Sequence, residues 1–69
     1  MSRPDAAEVM HRVATEPTLS VEDAAAAFGI GRSTAYAAVA AGEIPSIRIG
    51  RRVRVPSNWV REQLQVGAS

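Results

Sequence analysis

The 69 residues contain no cysteine and no lysine, and histidine, tryptophan, tyrosine and phenylalanine occur once each. Without thiols there are no disulfides and no thiolate metal sites, and His11 alone cannot build an imidazole cluster. Neither a disulfide framework nor a zinc finger is therefore expected. No apolar run approaches the roughly 18–20 residues of a membrane span, and Met1-Ser2-Arg3-Pro4-Asp5 lacks the hydrophobic stretch of a signal peptide, so a cytoplasmic protein without membrane contact is expected. Also missing is any His–carboxylate–nucleophile set in credible context. Gly29-Ile30-Gly31 is too short for a dinucleotide fingerprint and follows a helix rather than a strand. Catalysis, a cofactor, a metal and a small-molecule substrate are accordingly not expected.

The length allows one domain with a small core, since a chain near 60 residues buries only about 60% of its unfolded surface. A hydrophobic fraction of 46% against 22% charged residues is that of a folded module. All eight basic residues are arginine and 13 residues are alanine, a pair of biases that points to GC-rich coding, as in a high-GC bacterium or its phage. The formal charge of +1 hides an asymmetry. In residues 1–30, Arg3 and Arg12 stand against Asp5, Glu8, Glu16, Glu22 and Asp23, a net of −3. In residues 31–54, Arg32, Arg48, Arg51, Arg52 and Arg54 stand against Glu43 alone, a net of +4. An acidic front and a basic middle mark a protein that presents one face to a polyanion, usually phosphate; an ordinary solvated face is the alternative.

Residues 4–14 read as an amphipathic helix, with Ala6, Val9, Met10 and Val13 on one side, Pro4 and Asp5 at its start, and Pro17 closing the segment. Ser20 is placed to cap a second helix, with Asp23 three residues on, Leu19 as a staple residue, and Val21, Ala24, Ala25 and Phe28 as the apolar stripe. Gly29 stops it. A third helix is expected over residues 32–41, from Gly31 as N-cap to Gly42 as stop, so that two short helices flank a tight glycine-containing turn, the helix-turn-helix signature.

The period then changes from helical to alternating: Ile47, Ile49, Val53 and Val55 are apolar, with arginines between them. Residues 47–55 read as a β-hairpin. A three-residue tip of Gly50, Arg51 and Arg52 sets Ile49 opposite Val53 and Ile47 opposite Val55, which gathers all four apolar residues on a core face. The same register sets Arg48 beside Arg54, a like-charge pair that calls for an anion. After Pro56, Ser57 is expected to cap a last short helix with Val60 and Leu64 facing inward, Trp59 at the core edge, and Gly67-Ala68-Ser69 frayed.

Residues 18–56, T-L-S-V-E-D-A-A-A-A-F-G-I-G-R-S-T-A-Y-A-A-V-A-A-G-E-I-P-S-I-R-I-G-R-R-V-R-V-P, resemble the excisionase family of small DNA-binding proteins and the related MerR-like winged helix-turn-helix domains. The most specific stretches are Gly29 to Tyr36 and Gly42 to Pro45 followed by Ile47 to Arg52. The resemblance implies an α+β, mostly helical fold: a winged helix-turn-helix over residues 18–66 with a two-stranded β-hairpin wing, plus an extra N-terminal helix within residues 1–17 packing on it. It further implies a recognition helix at residues 32–41 in a major groove, and a wing at 47–55 along the backbone or in an adjacent minor groove. With Ala35, Ala38 and Val39 inward, helical spacing exposes Ser33, Ala37 and Ala40, flanked by Thr34 and Tyr36. Relatives often carry long polar side chains where Ala37 and Ala40 stand here, and alanine offers only close approach and a thymine-methyl contact. Little base reading is therefore expected from the helix. Arg32 is expected to grip the backbone, and Ser33, Thr34 and Tyr36 to bond phosphate or one base edge, with a core-edge position as the other reading of Tyr36. At the wing, Arg51 and Arg52 with Gly50 form the tip, and Arg48 and Arg54 follow, unless one of the latter pairs with Glu43 or Glu62.

The function implied is architectural. Such proteins bind attachment-site DNA in several adjacent copies, bend it, and direct a phage or mobile-element integrase toward excision. The expected partners are double-stranded DNA, that integrase and other copies of the chain on DNA. A small MerR-like transcriptional regulator is the alternative, disfavoured by the short stretch after Pro56, which leaves no room for a dimerisation helix. A module whose basic wing meets an acidic protein is a third.

Overall fold

The computed structural model describes residues 6–68, with side chains as far as Gln65. In chain order the elements are α1 (Ala6–Thr15), β1 (Thr18–Ser20), α2 (Val21–Phe28), α3 (Arg32–Ala40), β2 (Ile47–Ile49), β3 (Arg52–Pro56) and α4 (Ser57–Ala68). Four helices and a small antiparallel sheet make the mostly helical α+β winged helix-turn-helix that the sequence implies. The helix start at Pro4 and Asp5, and the chain end at Ser69, lie outside the described residues.

The sheet has three strands in the order β1-β3-β2, so the wing hairpin is anchored by a strand the sequence reading lacks. Three residues are too few for alternation to register, which is why Leu19 reads as a helix staple. It also sits opposite Val55 across the β1–β3 ladder, and both are fully buried. The Ser57 N–H donates to the Pro17 carbonyl at 3.1 Å, which extends the strand contact by one bond.

The core draws on most of the elements: Val9 and Val13 from α1, Leu19, Val21, Ala24 and Ala25 from β1 and α2, Ala35 from α3, Ile44 after it, then Val55 and Val60. Phe28 and Trp59 close its edge in a T-shaped contact with ring centres 5.8 Å apart. Arginines bind the acidic front internally. Arg12 bridges Glu8 at 2.6 Å and Asp23 at 3.1 Å, joining α1 to α2, and Arg61 donates to the Val13 carbonyl at 2.6 Å, joining α4 to α1.

Several expectations are corrected. The hairpin turns on two residues, Gly50 and Arg51, and pairs Ile49 with Arg52, Arg48 with Val53 and Ile47 with Arg54. Gly50 has φ +59°, the left-handed value that glycine supplies without steric cost at the first position of a two-residue hairpin turn. The longer tip would gain nothing, because β2 packs on β3 and on no helix, leaving no core for Ile47 and Ile49 to enter. Both isoleucines face solvent, at 45% and 62% exposure. Arg48 and Arg54 consequently lie on opposite faces rather than side by side. Ala6 and Met10 are exposed, so the buried stripe of α1 is Val9 and Val13 alone. Ser57 is the first residue of α4, fully buried, and its Oγ has no hydrogen-bond partner, so it does not cap the helix. The α4 backbone is helical as far as Ala68.

Candidate nucleic-acid interface

Two helices and a glycine turn set the first half of the site. Ser20 Oγ accepts from the Asp23 N–H at 3.0 Å, as expected of the N-cap of α2. At the other end Gly29 adopts φ +72°, which lets its N–H reach the Ala26 carbonyl and the Ile30 N–H reach the Ala25 carbonyl at 3.0 Å. This paired closure needs a left-handed residue, so glycine there fixes the abrupt stop and the angle into the next helix. Gly31 then caps α3 through its carbonyl, which accepts from the Ala35 N–H. The same closure ends α3, with bonds from Gly42 to Val39 and from Glu43 to Ala38, and Ile44 drops into the core.

Only Ala35 of α3 is buried, with Ala38 and Val39 half-buried beside it. Arg32, Ser33, Thr34, Tyr36, Ala37 and Ala40 are all exposed, the face that helical spacing assigns to a groove. Small side chains at Ala37 and Ala40 let a surface come close to the helix backbone, while the hydroxyls and the guanidinium at its first turns offer donors for phosphate oxygens.

A carboxylate that the sequence gives no hint of organises that end of α3. Glu22 Oε2, on α2, accepts a hydrogen bond from the Tyr36 hydroxyl at 3.0 Å and lies 3.4 Å from Arg32 Nε. The guanidinium carbon of Arg32 stands 5.8 Å from the centre of the Tyr36 ring. The Tyr36 pKa is raised from its usual 10.0, chiefly because the phenolate could not donate to Glu22; slight desolvation and the Glu22 charge add to this, and Arg32 opposes it. Tyr36 is thus neither core edge nor free. Phosphate approaching Arg32 must compete with Glu22. Glu22→Gln is expected to tighten duplex binding about threefold at low salt, the scale of an exposed ion pair, and a titration by fluorescence anisotropy checks it. Unchanged or weaker binding would mean that Glu22 orders the two side chains rather than competing.

The wing supplies the second half. Arg48, Arg51 and Arg52 are exposed, and the structure gives them no protein partner among the described residues. Arg54 differs: half-buried, it donates from Nε to Thr18 Oγ1 and from Nη2 to the Thr18 carbonyl, both at 3.2 Å, and so ties β3 to β1. Neither Glu43 nor Glu62 forms an ion pair with these arginines among the described residues.

The model of the helix-turn-helix domain matches residues 18–64, which takes in both helices, the turn, the sheet and most of α4. The chain belongs to the helix-turn-helix domain family. It is also similar to a probable excisionase of Saccharopolyspora erythraea, 51% identical over 45 residues, which make up 65% of this chain and 46% of that protein. The resemblance to excisionases is borne out, over a little under half of that relative's length. No solved structure matches the chain. Within this family member, α1 lies outside the matched residues yet supplies two core valines. No helix among the described residues is long and apolar enough to cross a membrane.

Proposed function

We propose that this helix-turn-helix protein is a DNA-binding excisionase that acts without chemistry of its own: it seats α3 in a major groove and lays the wing along the adjacent backbone or minor groove. The observation that carries this is the set of exposed arginines without protein partners among the described residues, Arg48, Arg51 and Arg52 on the wing, which follows a helix that exposes Arg32, Ser33, Thr34, Tyr36, Ala37 and Ala40. Arg32, Ser33, Thr34 and Tyr36 contact phosphate or a base edge, Ala37 and Ala40 permit close approach, and Gly50 sets the wing tip. Arg54 contributes by holding the wing to β1. The family membership and the similarity to a probable excisionase support the same assignment.

One copy offers few base-reading side chains, too few for the usual specificity of about 10³ or more over random DNA. Adjacent copies on neighbouring sites would supply the remainder through effective concentration, bend the duplex and present it to an integrase for excision. The expected result is a monomer in sedimentation without DNA and cooperative filling in a band-shift titration on an attachment-site duplex. A stable free dimer, or one retarded band with non-cooperative filling, would overturn the tandem arrangement and favour a transcriptional regulator.

A further inference from the structure

The outer face of the wing combines exposed apolar side chains with charge of one sign. Ile49, at 62% exposure, is the most exposed large hydrophobic side chain among the described residues, and Ile47, at 45%, stands two residues behind it on the same face. Exposed isoleucines on an edge strand are a liability in solution, where they invite strand pairing and aggregation. Here they are ringed by charge of one sign. Ile49 lies opposite Arg52 and Ile47 opposite Arg54, Arg51 forms the turn, and no acidic residue occurs between Ile44 and Arg61. A second wing brought against this face would set arginines against arginines. A polyanion with an apolar interior meets both halves of the pattern, and duplex DNA is one: phosphates outside, stacked bases within.

The two-residue turn strengthens the case. It places Ile49 directly before Gly50-Arg51, at the turn end of a hairpin that touches no helix through β2, so no helix covers the side chain from that strand. Aliphatic side chains in such positions can pry apart a base step from the minor groove, kinking the duplex, while arginines hold the flanking phosphates or the narrow groove.

We propose that Ile49, backed by Ile47, is an apolar wedge that enters the minor groove and partly unstacks a base step, and that this is how a single copy deforms its DNA. The proposal rests on the DNA-binding assignment above and adds to it the residue and the mode of deformation.

The test uses the full chain and a short A·T-rich duplex, too short for two copies, with 2-aminopurine at a central T-A step. The wild type is expected to raise 2-aminopurine fluorescence on binding and to shorten the end-to-end distance measured by energy transfer. Ile49→Thr keeps a β-branched side chain at a solvent-facing position. It is expected to bind about tenfold more weakly, the scale of one apolar side chain returned to water, with an unchanged salt slope and no fluorescence rise. Ile49→Met, still a wedge, should retain the rise. Wild-type binding without a rise in fluorescence would overturn the wedge and leave DNA binding intact. Loss of cooperative filling on a long duplex in Ile49→Thr, with the short-duplex signal retained, would also overturn it and make the face a contact between copies. Failure of the wild type to bind at all would defeat the DNA-binding assignment itself.

Discussion

Reversing the wing tip, Arg51→Glu together with Arg52→Glu, is expected to weaken binding to duplex DNA by at least about a hundredfold near physiological salt. Each phosphate neutralised contributes roughly −0.9 to the slope of log K on log salt, so the loss of two arginines lowers that slope by about 1.8, and two new carboxylates add repulsion. Both residues are exposed and have no protein partner among the described residues, so folding should be unaffected. Anisotropy titration of both proteins, with circular dichroism as the folding control, measures the effect. A loss under about tenfold would mean that the tip stands away from the phosphates.

The largest effect on stability is expected at Leu19. Leu19→Ala should cost about 3 kcal/mol, because the side chain is fully buried opposite Val55 and its loss leaves a cavity in the core. In a chain of this length that is a large part of the total, and the thermal midpoint should fall by roughly 15 °C. Ile47→Ala, on the exposed face of β2, should change stability by less than about 0.5 kcal/mol. Thermal unfolding followed by circular dichroism separates the two. Equal effects at both positions would restore the register in which Ile47 faces the core.

The helices were legible because their signals are local. Ser20 with Asp23, and Gly29 and Gly42 in left-handed stops, act within a few residues, and the apolar spacing of Val9 and Val13 or of Ala24 and Ala25 needs no knowledge of the rest of the fold. The hairpin was legible as an element but not in its register. Alternation says that Ile47, Ile49, Val53 and Val55 form rows, yet which rows are buried depends on what lies over the sheet, and nothing lies over β2. A register that gathers all four on a core face does not hold for a wing that extends beyond the core. β1 escaped notice for a related reason, being a three-residue strand whose only core residue, Leu19, serves equally well as a staple.

At the candidate site the exposed row on α3 followed directly from helical spacing around Ala35. Glu22 did not, because its partners Arg32 and Tyr36 lie across the turn, and only the angle between α2 and α3 brings the three together. From the sequence Arg54 reads as a DNA contact of the wing or a partner of Glu43 or Glu62; its hydrogen bonds to Thr18 depend on β1, which the sequence does not reveal.

The dependence of duplex affinity on salt tests the central claim most directly. With Arg32, Arg48, Arg51 and Arg52 meeting phosphate and Arg54 committed to Thr18, log K should fall with log salt at a slope of about −3 to −4. A slope shallower than about −1 would contradict the account, since binding would then not pass through the arginines of α3 and the wing.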